Sequence, residues 1–81
     1  MKQINLFYSE HSEKYIINEK REFTSQVPGE NVKKTLEDAL KFISDKYPKR
    51  KLFLEMKIPE KDQEFVKNYF SDSKNIDYRF K

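Results

Sequence analysis

Apolar and polar residues alternate with a period of two in three separate stretches of this chain, the pattern of half-buried β-strands. In residues 2–8, Ile4, Leu6 and Tyr8 fall on one side and Gln3, Asn5 and Phe7 on the other. Residues 51–58 alternate most cleanly, with Leu52, Leu54, Met56 and Ile58 set against Lys51, Phe53, Glu55 and Lys57. This strand is expected at the centre of the sheet. Towards the end, Ile76, Tyr78 and Phe80 alternate with Asp77 and Arg79. A further strand over residues 14–24, carrying Tyr15, Ile16, Ile17 and Phe23, follows the polar run 9–13 and closes a hairpin with the first. Its alternation is poorer, because Ile16 and Ile17 are adjacent and residues 19–22 are all charged, so an exposed or bulged ribbon is expected there.

Two stretches carry the helical period instead. Val27-Pro28-Gly29 is the strongest punctuation in the chain, and after it Val32, Leu36, Ala39, Leu40, Ile43 and Tyr47 recur on one helical face. Asn31 is the candidate cap, Glu30 suits the positive end of the helix dipole, and Pro48 requires the helix to stop at or before Tyr47. Pro59 opens a second helix, acidic in its first turn at Glu60, Asp62 and Glu64, with Phe65, Val66, Tyr69 and Phe70 as its apolar stripe. The element order is ββαβαβ. Right-handed crossovers place both helices on one face of a mixed four-stranded sheet, which predicts a two-layer α+β domain over residues 1–81 with the other sheet face uncovered.

Composition narrows the class. Hydrophobic residues make up 36% of the 81 and charged residues 38%, enough for one small core. Seven Phe and five Tyr at periodic positions argue against disorder, and with a single Gly there is no flexible linker. Cysteine is absent, so a disulfide scaffold, a thiolate metal site and a cysteine nucleophile are all excluded. A reducing cytosol is the expected setting. No apolar run approaches the roughly 18 residues of a membrane span, and the first residues lack the apolar core of a signal peptide, so the start reads as mature.

Little in the chain suggests catalysis. His11 is the only histidine, and although Ser9, Glu10, Ser12 and Glu13 surround it, it falls at a hairpin tip without the other ligands or orienting acid that a metal site or triad needs. The acidic clusters Glu37/Asp38 and Glu60/Asp62/Glu64 are explained by helix starts and solvation. One glycine cannot build a phosphate-cradling loop. The expectation is a non-enzyme with no cofactor, no metal and no evident small-molecule substrate.

The surface is more informative. Seventeen Lys and Arg against fourteen Asp and Glu give a net charge of +3. The basic excess lies wholly in residues 41–81, with eleven cations against seven acids, whereas residues 1–40 have six against seven. Lys46, Lys49, Arg50 and Lys51 bracket Tyr47-Pro48 at the end of the first helix, where they either complement its negative end or contact a phosphate or an acidic partner. Phe53 and Phe7 stand on the outward side of their strands, where a polar residue would serve. With Lys57, Arg79 and Ile16 they would form an aromatic and basic patch on the open sheet face. Such a patch suits a protein interface or self-association, with Phe7 and Phe53 as anchors and Lys49, Arg50, Lys51, Lys57 and Arg79 as rim. The alternative is a stacking platform for single-stranded nucleic acid. Lys outnumbers Arg fourteen to three, which gives little of the bidentate chemistry that phosphate and base recognition favour.

Overall fold

The computed structural model describes residues 1–19 and 27–81, and its chain order is β1 (Lys2–Ser9), β2 (Lys14–Asn18), β3 (Val32–Lys33), α1 (Leu36–Lys46), β4 (Leu52–Lys57), α2 (Glu60–Tyr69) and β5 (Ile76–Phe80). The strands form one mixed sheet in the order β3-β2-β1-β4-β5. β1 pairs antiparallel with β2 and parallel with β4, β4 pairs parallel with β5, and β2 pairs antiparallel with β3. The α+β class and the mixed sheet stand, but among the described residues the sheet has five strands rather than four. β4 is an interior strand, and β1 takes the middle position.

The fifth strand corrects the expected start of the first helix. Gly29–Asn31 is a single 3-10 turn, and Val32 and Lys33 pair with Ile16 and Tyr15 instead of entering a helix. The cause is visible at Asn31, whose buried side-chain amide donates to the Ile17 carbonyl and to Glu19 Oε2, both at 2.9 Å. An Asn spent on fastening the turn to β2 cannot cap a helix. Thr35 does so, its Oγ1 accepting from the Asp38 N–H at 3.1 Å, and Glu37 and Asp38 supply the acidic first turn. β2 ends at Asn18, with Glu19 just past it, and residues 20–24 of the expected strand lie outside the described residues. The tight β1–β2 connection lacks a glycine, so Glu13 takes the left-handed conformation, with φ 56°.

One core joins the layers. Ile4, Leu6, Tyr15, Ile17, Leu52, Leu54 and Met56 from the strands meet Leu36, Ala39, Leu40 and Ile43 of α1 and Val66 and Phe70 at the end of α2. Both helices therefore cover the same sheet face. The stripe expected on α2 is only half right. Val66 and Phe70 are buried, but Phe65 and Tyr69 are exposed and stack on each other at 6.0 Å between ring centres. The two i, i+4 pairs sit one position apart around the helix, and α2 turns only one of them inward. Asp62 ties α2 to the sheet by accepting from the Tyr15 hydroxyl at 2.5 Å, and burial together with this bond raises the Tyr15 pKa. Among the described residues no helix is long and apolar enough to cross a membrane.

Candidate functional site

The sheet face opposite the helices has a readable layout, because side chains of neighbouring strands line up in rows across it. At one end Lys57, Phe7, Ile16 and Val32 are successive cross-strand neighbours on β4, β1, β2 and β3. The middle row runs Arg79, Glu55, Asn5, Asn18. At the other end Phe53 stands between Gln3 and Asp77. Phe7 and Phe53 thus share the open face as the alternation required, and both are half-buried. They are not neighbours. Four positions along the strand, about 13 Å, separate them, with the polar row between.

Glu55 organises that polar row. Its carboxylate pairs with Lys81 at 2.8 Å and Arg79 at 3.1 Å, and Gln3 Nε2 donates to it at 3.2 Å. The bond from Lys81 and the charge of both cations lower its pKa, against the opposing effect of burial. Arg79 also lies over the Phe53 ring, its guanidinium carbon 5.9 Å from the ring centre. An open concavity of about 540 Å³ lies beside this row, lined by Gln3, Asn5, Phe7, Glu55, Lys57 and Lys81.

By strand alternation the face carries five cations among the described residues, Lys14, Lys51, Lys57, Arg79 and Lys81, against two carboxylates, Glu55 and Asp77. That excess of three compares with a net charge of +2 over all the described residues, fifteen cations against thirteen acids. Arg79 and Phe53 come together at one end and Phe7 and Lys57 at the other. Lys49 and Arg50 are exposed in the turn before β4, where Arg50 borders a shallow groove with Tyr47, Lys74 and Ile76 on the flank of the molecule. Lys49 and Arg50 thus flank the face instead of lying on it. His11 is exposed at the hairpin tip.

The chain matches no family model, no curated protein and no solved structure. Its surfaces are therefore read from their own chemistry.

Periodicity gave no hint of a second polar centre. Glu19, just past β2, accepts from the Tyr47 hydroxyl, from Asn31 Nδ2 at 2.9 Å and from Lys46 Nζ at 2.9 Å, while its carbonyl accepts from Lys2 Nζ at 3.4 Å. Burial acts to raise the Glu19 pKa, but the bonds from Tyr47, Asn31 and Lys46 outweigh it and hold the carboxyl down at about 2. Tyr47 moves the other way, raised by its own burial and by donating to Glu19, so it keeps its proton. This cluster joins four parts of the fold, and three side chains of the chain itself take up the carboxylate's bonds. Its work is structural.

Proposed function

We propose that this chain is a small non-catalytic module that docks an acidic protein surface on the sheet face opposite α1 and α2. The observation that carries this reading is the set of five cations against two carboxylates that the described residues place on the sheet face opposite α1 and α2. Phe53 supplies the apolar contact, with Phe7 at the far end of the same face. Lys57 and Lys81, on the wall of the concavity, receive a partner's carboxylates, while Lys51 and Arg79 surround Phe53 and Lys49 and Arg50 steer the approach. A cysteine-free chain of this size suits a reducing cytosol.

The spacing of the two phenylalanines favours a protein over an unpaired nucleic-acid strand. A continuous stack of bases needs platforms closer together than about 13 Å, and the polar row between these rings offers none. Fluorescence anisotropy with a labelled Glu-rich peptide containing two leucines, run beside a labelled single-stranded oligonucleotide of equal charge, tests the reading. The peptide should bind at low salt, weaken as salt rises, lose about tenfold in affinity with Phe53→Ala and lose detectable binding with Lys57→Glu. No peptide binding at low salt would sink the proposal. Tighter binding of the oligonucleotide, lost in Phe53→Ala, would replace it with the nucleic-acid reading.

A further inference from the structure

The last strand leaves a full edge of the sheet unpaired among the described residues. The Asn75 carbonyl accepts from the Leu52 N–H at 2.9 Å, and the Lys81 N–H donates to the Met56 carbonyl at 2.8 Å. In a parallel strand the N–H and C=O of one residue point to the same side, and successive residues alternate. Asp77 and Arg79 therefore turn their main-chain groups towards β4. Ile76, Tyr78 and Phe80 turn theirs outward, offering three donors and three acceptors along five residues. β5 has neither an internal proline nor a bulge, and the two charged residues on its edge, Asp77 and Arg79, are of opposite sign and so can pair with a second copy instead of repelling it.

We propose that β5 pairs antiparallel with β5 of a second copy of this chain, across a two-fold axis at Tyr78, joining two five-stranded sheets into one of ten strands. The side-chain sequence of the strand selects this register. With Tyr78 opposite the partner's Tyr78, Asp77 faces the partner's Arg79 and, by symmetry, Arg79 faces the partner's Asp77 on the open face. Ile76 then faces the partner's Phe80 on the helix side, where Ile76, Tyr78 and Phe80 are half-buried in the single chain. The two neighbouring registers that also match outward main-chain groups fail. One sets Asp77 against itself, and the other sets Arg79 against itself.

Asp77 supplies an independent reason. Its neighbour on β4 is Phe53, and it makes no ion pair among the described residues, so its own sheet does not neutralise it. Arg79 touches Glu55 with one guanidinium nitrogen and remains largely exposed, with donors to spare for a second carboxylate. The dimer is made along the sheet edge, so it does not depend on the acidic-partner reading, and Arg79 is the one residue that the two share. A five-residue edge is a small interface, which makes the association concentration-dependent.

Sedimentation velocity on the full chain, from micromolar to about 1 mM, tests the pairing. The wild type should shift from monomer to dimer across that range, and hydrogen exchange at the amides of Ile76, Tyr78 and Phe80 should slow as concentration rises. Asp77→Arg and Arg79→Asp should each weaken dimerisation by about tenfold or more, because each sets like charges opposite across the axis. An equimolar mixture of the two variants should regain dimer, since opposite charges then face each other at both positions. Circular dichroism on each variant separates lost pairing from lost folding, and recovery in the mixture requires that both are folded. A wild type that stays monomeric at 1 mM overturns the proposal, as does a dimer indifferent to both substitutions, a mixture that fails to recover, or edge amides whose exchange ignores concentration.

Discussion

Glu19 and Glu55 are the same side chain, each gathers three side-chain donors, and each is similarly screened from water, with 16% and 10% of its side chain exposed. What screens them differs. Glu55 is covered by Arg79 and Lys81, which are themselves 63% and 57% exposed and can leave it at the cost of one ion pair in water. Glu19 is covered by the buried Asn31 amide and the half-buried Tyr47, neither of which can move away without opening the fold. Equal coverage therefore means a fixed structural joint in one place and a rearrangeable surface in the other. Coverage alone is a poor guide to how much a polar group holds a protein together; the anchoring of its partners decides it.

Glu19→Ala should break the contrast most sharply. It strands the Tyr47 hydroxyl and releases the joint between β2, the 3-10 turn and α1, at a cost of about 2 kcal/mol, read in urea unfolding or as a fall in Tm of roughly 8–16 °C. A loss as small as that of an exposed ion pair would erase the distinction. Acid titration gives the next effect. The Glu19 carboxyl has a pKa of about 2 in the fold against an ordinary 4.5, so its contribution is complete above pH 4.5 and disappears as pH falls towards 2. Stability should decline across that window by on the order of 2 kcal/mol, and Glu19→Gln should flatten the decline. Glu55→Gln is the mild case. Its unfolding midpoint should stay close to wild type, while binding of the Glu-rich peptide tightens because Lys81 and Arg79 are released and one opposing charge is gone. A large drop in midpoint would make Glu55 a joint as well.

Sequence periodicity revealed what strand alternation controls and missed what distant contacts decide. β1, β4 and β5 follow directly from alternation, and the same alternation places Phe7, Phe53 and Arg79 on the open face. Alternation says nothing about where along a strand two residues lie once strands are paired, so the separation of Phe7 from Phe53 emerges only from the β1–β4 register. The start of α1 was legible in principle. Thr35 with an acid three residues later is a cap signal, but Asn31 after Pro28-Gly29 offered a competing one, and a tertiary bond to β2 settled the contest. The Glu19 joint had no local signature, because its partners lie 12 to 28 residues away. Phe65 and Tyr69 share the helical spacing of the buried pair, and only the pose of α2 on the sheet exposes them.

The placement of β1 at the middle of the sheet also governs the order in which the molecule is assembled. Its parallel neighbour is β4, with Lys2 opposite Leu52 and Phe7 opposite Lys57, so the pairing spans about fifty residues of chain. During synthesis only the β1–β2 hairpin has both halves available early, and an isolated hairpin is marginal in water. The central strand must wait for most of the polypeptide before the ladder that buries it exists, and closing so long a loop makes the folding step slow relative to local events. A nascent chain released from the ribosome before β4 emerges would therefore present Ile4 and Leu6 without their β4 neighbours Leu54 and Met56, and quality-control machinery would meet it as an unfinished protein.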